Sequence, residues 1–407
     1  MGHLSEGHHG SPRSRTTPTH SFAYFQSKRF CITLPIAPRL FDLGCCGREV
    51  CISGGITQYQ KWGRSMSKKI DAGINAVKAI RDLLQIDDEW AVDTKRGFTW
   101  WSYRLAQHVV ADPPQKWEDG METSAVRIWT EILRDVDLTQ ENIDAVQALN
   151  IAETMSALVI DPKTRTLNAC CTVLFHNENA PELTPITGMA AIIQNCEAHA
   201  IAQTLAGVLG VSTAESQHPK SGERPEADEM LSIEQNLGLG IPEAATTFAG
   251  DLIGVVPEFA MSHGLFAMGG DDACTLEVPY TGSKPSMMTM LEGSPGESAL
   301  VQMGTEEVHP RIGSGVHFRL ALPHLFDSPG DAATSANDLN HHFAMIESDA
   351  TFLGAWCADP TTSGSTIVYT SFYPDVLARP GILQNAAFQL ARLSQVSQEF
   401  FGDEWTG

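Results

Sequence analysis

MSALVIDPKTRTLNACCTVLFH, residues 155–176, sets two apolar runs on either side of Pro162-Lys163-Thr164-Arg165. In the second run Leu167, Ala169, Cys171, Val173 and Phe175 occupy alternate positions, the period of two that turns one face of a strand to a core. A hairpin with an Asp-Pro turn is expected here. Residues 353–362 read LGAWCADPTT and align with MSALVIDPKT at a spacing of 198, sharing an Ala, the Asp-Pro pair and a Thr. Repeats decide an architecture before any single element does, so each hairpin is best read with its flanks.

Upstream of the first hairpin, Ile70, Ile74, Val77, Ile80, Leu83 and Leu84 recur at three- and four-residue intervals, the stripe of an amphipathic helix. A short strand around Trp90 to Val92, the turn Lys95-Arg96-Gly97 and the aromatic, β-branched run FTWWSYRLAQHVV make a hairpin. After Asp112-Pro113-Pro114, Val126, Ile128, Thr130 and Ile132 alternate with Ala125, Arg127, Trp129 and Glu131 as a third strand. Thr139 is an N-cap for a helix to about Asn150, because its hydroxyl accepts from first-turn amides. A long helix from about Pro185 to Leu209 follows the hairpin, giving the order α-β-β-β-α-β-β-α.

The second hairpin has the same surroundings. Helical segments to about Met261 precede the strands CTLEVPY, ALVQMGT and GVHFRLALP. A helix near Ala336 to Ile346, the strands FLGAWCA and STIVYTSFY, and a last helix from about Pro380 to Phe400 complete the pattern. The fold class is therefore α+β, two tandem α-β-β-β-α-β-β-α domains, each an antiparallel sheet packed with helices. The boundaries are 66–211 and 230–407, joined by the polar segment 212–229 (STAESQHPKSGERPEADE), which reads as a linker with nothing to bury.

Residues 1–65 differ in composition. They hold 8 Lys/Arg against 3 Asp/Glu, whereas the remainder holds 19 against 46, within a whole-chain net charge of −22. Ser/Thr/Pro-rich and without sustained period, they read as a disordered leader or a start-site artefact, the folded protein beginning near Met66. Their cysteines Cys31, Cys45, Cys46 and Cys51 lack the paired C-x2-C spacing of a zinc site, and the polar start has no signal-peptide core. No stretch approaches the roughly 18 apolar residues of a membrane span. The acidic balance disfavours nucleic acid and anionic lipid, and the remaining unpaired cysteine spacing fits a reducing, cytoplasmic setting.

This order of elements, the Asp-Pro turn, the long closing helix and the phrases ALVIDP, HPRIGSG and YPDVLARPG resemble the type III secretion chaperone-like fold, including its YbjN-like branch. The resemblance covers about residues 68–210 and 230–402. It implies a protein that holds another polypeptide in extended form, and, with two copies in one chain, an intramolecular pseudo-dimer. The chain departs from that family by being duplicated and about twice the usual size.

No residue set stands out as catalytic, cofactor-binding or metal-binding. Cys196 and His199, at i and i+3 on the long helix, form the one nucleophile-like pair, and nothing completes it; a buried core cysteine beside a helix histidine is the plainer reading. The neighbours His341-His342 project about 100° apart and read as a solvated helix face. Gly238-Leu239-Gly240 lacks the third glycine of a dinucleotide loop, and Gly269-Gly270-Asp271-Asp272 reads as a turn before a strand. Trp100 and Trp101 must point to opposite faces of a strand, so one either packs under a helix or anchors an interface. Met287, Met288 and Met290 of SMMTMLEG offer adaptable thioethers. Trp100, Trp101, Met287, Met288 and Met290 are thus the candidate partner-binding residues. The expected function is non-enzymatic protein binding; the alternatives are a hydrolase or transferase of unrecognised class, or a self-assembling structural or regulatory protein.

Overall fold

The computed structural model describes residues 71–116, 121–152, 154–232, 248–270, 272–280, 298–305, 309, 312–346 and 350–401. Met66 to Gly407 form one compact unit. The expectations for residues 1–65, for Gly238-Leu239-Gly240 and for Met287, Met288 and Met290 fall outside the described residues.

Helix α1 (Ala72–Leu83) starts at Asp71, whose carboxylate accepts from the Ile74 amide at 3.1 Å. It buries Val77 and Ile80 of the predicted stripe, together with Ala72 and Ala76, and half-buries Ile74 and Leu83. Strands β1 (Ala91–Asp93), β2 (Gly97–Trp101), β3 (Ala106–Ala111) and β5 (Glu122–Arg134) run as an antiparallel meander, with the short β4 (Gln115–Lys116) paired to β5. FTWWSYRLAQHVV, expected as one strand, is two. Its reversal at Ser102 to Leu105 has no Gly, Pro or Asn to announce it; distant groups hold it instead. The Leu105 amide donates to His199 Nε2 at 3.3 Å, Ser102 Oγ meets the Asn195 amide at 2.9 Å, and Arg224 donates to the Trp101 carbonyl at 2.9 Å.

Helix α2 (Gln140–Asn150) begins at the expected cap, Thr139 accepting from the Asn142 amide at 3.3 Å. Strands β6 (Ala157–Asp161) and β7 (Thr166–Phe175) form the expected hairpin, and β7 inserts beside β5. Helix α3 (Ala180–Leu209) starts a turn before Pro185 and covers one face of this sheet, ending at Gly210 with φ 66°. The strand order is β1-β2-β3-β5-β7-β6.

Residues 212–229, expected as a linker, form a strap on this same sheet. Strand β8 (Ser212–Thr213) pairs with the end of β5, Trp101 donates to Ser216 Oγ at 3.0 Å, and His218 and Ala214 are buried. A few residues hold it there, the Ser216 amide donating to the Arg104 carbonyl at 2.9 Å and the Asp228 amide to the Ser102 carbonyl at 2.8 Å, while most of its polar side chains stay exposed.

In the second half, α4 (Val256–Ser262), entered through a π turn at Asp251–Val255, precedes β9 (Phe266–Gly269), β10 (Ala273–Pro279), β11 (Ser298–Gly304) and β12 (Gly315–Ala321). Here too four meander strands replace the three expected, β9 being too short and glycine-rich to show a period. Helix α5 (Pro329–His341) runs on into a π turn, His342–Ile346, and is followed by β13 (Ala355–Ala358), β14 (Ile367–Pro374) and α6 (Ile382–Phe401). The order β9-β10-β11-β12-β14-β13 repeats that of the first sheet. The molecule is an α+β protein with two antiparallel sheets.

The two sheets meet at their β6 and β13 ends. Helices α2 and α5 lie together there, each also packing on the other half's outermost strand. The segment before β13 crosses to β7: Phe352 and Thr172 exchange two backbone bonds of 2.7 and 2.9 Å, and Thr351 Oγ1 accepts from the Leu174 amide. The segment before β6 crosses the other way, the Thr154 carbonyl accepting from the Phe372 amide at 3.0 Å.

Candidate interaction surfaces

Duplicate side-chain devices support this seam. Fully buried Asn150, the last residue of α2, clamps Leu158, donating to its carbonyl at 3.0 Å and accepting from its amide at 2.7 Å. Asn340 near the end of α5 does the same to Trp356 at 2.8 and 2.7 Å. An edge strand's inner residue cannot leave its amide and carbonyl dry, and each asparagine supplies both partners at once. The Asp-Pro turns are alike as well. Asp161 accepts from the Lys163 amide and the Thr164 hydroxyl, both at 2.8 Å; Asp359 accepts from the Thr361 amide at 2.9 Å and its hydroxyl at 2.7 Å. Burial acts to raise the Asp161 pKa, but those hydrogen bonds and His341 beside it hold the carboxyl below the usual range.

His341 therefore does not sit on a solvated face as expected. Its Nε2 lies 3.6 Å from Asp161 Oδ1 across the seam, while the His342 ring packs 4.9 Å from Phe400. Arg127 on β5 is a further seam residue that no sequence pattern marks. Its guanidinium pairs with Asp112 at 2.8 Å and donates to the carbonyls of Ala344 and Ile346 at 3.2 and 2.9 Å, pinning the π turn that ends α5.

Trp100 and Trp101 do point to opposite faces, and both are buried, so neither is a surface anchor in this structure. Trp100 fills the core under the helices; Trp101 is covered by the strap, its ring 5.2 Å edge-on from that of His218. The strap, unforeseen from the sequence, is the reason. Cys196 is buried, with its thiol 3.4 Å from the Met230 carbonyl. His199 uses Nδ1 on the Asn195 carbonyl at 2.9 Å and Nε2 on the Leu105 amide. Both ring nitrogens thus serve the backbone, and burial lowers the imidazole's pKa against a smaller opposing effect of the Asn195 carbonyl. Burial also pushes the thiols of Cys171 and Cys357 up to about 12, so they stay protonated at neutral pH.

A cavity beneath α6, between Phe318, Tyr369, Tyr373 and Leu390, has a volume of about 20 Å³, room for one water. No group of three His, Cys, Asp or Glu able to hold a metal occurs among the described residues, and no helix among them is long and apolar enough to cross a membrane.

Among the described residues, a half-buried row on the outer face of the first meander and the two far sheet ends lie outside the core. On the outer face Thr99, His108 and Trp129 stand in register across β2, β3 and β5. His108 stacks on Trp129 at 4.7 Å and 18°, and its Nδ1 meets the Thr99 hydroxyl at 2.9 Å. Burial lowers its pKa, Glu131 working the other way. The sheet ends are β1 and β9. Beside β9 the side chains of Ile253, Met261 and Met268 are 52%, 64% and 52% exposed. Of Gly269-Gly270-Asp271-Asp272, Asp271 lies outside the described residues; Gly269 ends β9, and the Gly270 amide donates to the Ala273 carbonyl at 2.7 Å. No protein family, curated protein or solved structure matches the chain.

Proposed function

We propose that the chain is an intramolecular pseudo-dimer of two like α+β units, of the chaperone-like kind its sequence resembles, and that it binds another polypeptide without acting on it chemically. The observation that carries this reading is the reciprocal seam. Each half lends the segment before its edge strand, and one helix, to the other, with an Asn clamp and an Asp turn on both sides. An assembly closed on itself at one end of both sheets puts the far ends, β1 and β9, away from the seam, where a partner can reach the sheet. Net charge of −22 selects for a basic one. Five described cysteines, all buried and free, accord with a cytoplasmic location.

Affinity capture from native extract with the full chain as bait, followed by mass spectrometry, identifies the partner; titration of that purified partner into the full chain then measures it directly. A saturable, stoichiometric complex is expected, with its affinity unchanged by Cys196→Ala. No partner in the extract, or one that fails to bind once purified, overturns the reading.

A further inference from the structure

The two far sheet ends correspond in topology but differ in how they are guarded. Unprotected strand edges pair with other chains, and proteins blunt them with charge or cover. At β1, Arg81 pairs with Asp93 on the strand and with Asp88 at 2.6 Å. The strap lies beside it, Ser221 donating to the Glu89 carbonyl at 2.9 Å and Arg224 standing 5.4 Å over the Trp90 ring. At β9 neither device is present among the described residues. The Gly270–Ala273 hydrogen bond sets the alternation along the β9–β10 ladder, so Phe266 and Met268 direct their backbone groups to β10, and Ala267 and Gly269 direct theirs outward. Helix α4 runs back along the strand, with Pro257 against Gly269 at one end and the Gly264 turn at the other. Exposed Met268 sits on β9 itself, and exposed Ile253 and Met261 belong to the helical layer behind it.

Charge decides what fits this edge. From Pro225 to Ser283 the sequence contains ten Asp or Glu and no Lys or Arg. Of the acids, Asp251, Glu258 and Asp272 lie in or beside α4 and β9. A second copy of this chain would bring the same acids against them.

Resting on the protein-binding reading, we infer that β9 is the docking edge for one extended, basic segment of another polypeptide, which adds antiparallel or parallel to the second sheet as a seventh strand. Its backbone bonds to Ala267 and Gly269; its alternate apolar side chains meet Met268 on one face and the Ile253 and Met261 layer on the other; its Lys or Arg residues face Asp251, Glu258 and Asp272. Because β1 is guarded, the pseudo-dimer takes one such segment per chain, not two.

Fluorescence anisotropy of the full chain with labelled ten-residue peptides tests this, using one that alternates Lys with Val, one that alternates Glu with Val, and one of Lys and Gly. The Lys-Val peptide binds at one per chain and weakens with salt; the others bind at least tenfold more weakly. Met268→Lys, an exposed change, and Ala267→Pro, which removes an outward amide, each weaken binding at least tenfold, while Val92→Lys on β1 leaves it unchanged. Circular dichroism checks that each variant is folded. Equal binding by Met268→Lys and the parent overturns the β9 assignment and leaves protein binding elsewhere intact. Two peptides per chain, or stronger binding of the Glu-Val peptide, overturns it as well. No binding of any peptide, together with no captured partner, removes both this inference and the reading it rests on.

Discussion

Asp375, in the turn after β14, is 4% exposed, and neither carboxylate oxygen has a hydrogen-bond partner. Its own backbone is well used, the amide donating to the Ser314 carbonyl at 3.0 Å, so the turn fixes the side chain where it cannot be solvated. Burial raises its pKa from 3.8 to about 6. The native state thus holds this proton more tightly than the unfolded chain does. That contribution to stability is complete below about pH 4 and is lost as the pH rises through about 6. Asp375→Asn keeps the shape and removes the charge. Urea unfolding should find the variant equal to the parent near pH 4 and more stable by about 1–3 kcal/mol at pH 7.5; a variant less stable at pH 7.5 would show that the carboxylate has a partner in solution.

At the scale of elements, the clamps by Asn150 and Asn340 bind helix ends to edge strands in the same way in both halves. Replacing either with Ala strands one buried amide and one buried carbonyl, each costing about 1–3 kcal/mol. Denaturant titration should therefore show a loss of about 2–6 kcal/mol for Asn150→Ala and a similar loss for Asn340→Ala. The helices and hairpins that could be read from the chain were those with a local signature: the Ile74 to Ile80 stripe, the Thr139 cap, the alternation from Leu167 to Phe175. The β2–β3 reversal could not, because Asn195, His199 and Arg224 hold it from about a hundred residues away. The strap was misread for a related reason: a few residues, Ala214, Ser216, His218 and Arg224 among them, tie a largely exposed polar segment to the sheet. The candidate anchors fared accordingly: paired tryptophans show that two faces are covered, not what covers them.

Over the whole molecule, the bonds across the seam predict that the two sheets unfold together. Ile160 donates to Asn337 at 3.3 Å, Gln140 bonds to Gly330 and Thr334, and His309 reaches the Ala152 carbonyl at 3.0 Å, all across the halves. Tryptophan fluorescence, dominated among described residues by Trp90, Trp100, Trp101 and Trp129 of the first half, should unfold at the same urea concentration as far-UV circular dichroism, which sees both. Asn340→Ala, in the second half, should move the fluorescence midpoint too. Two separate transitions, or a fluorescence midpoint indifferent to Asn340→Ala, would mean that the halves melt independently.

The reciprocal crossing also bears on how the protein is made. Among the described residues, the Thr154 carbonyl accepts from the Phe372 amide, and the edge of β7 beyond β6 pairs with the segment at Phe352. At about 5–20 residues per second, some 200 further residues occupy a ribosome for about 10–40 s after the first hairpin emerges. Throughout that interval the nascent first half presents an uncovered strand to the cell. Synthesis, more than the finished state, is when this chain depends on the company it keeps.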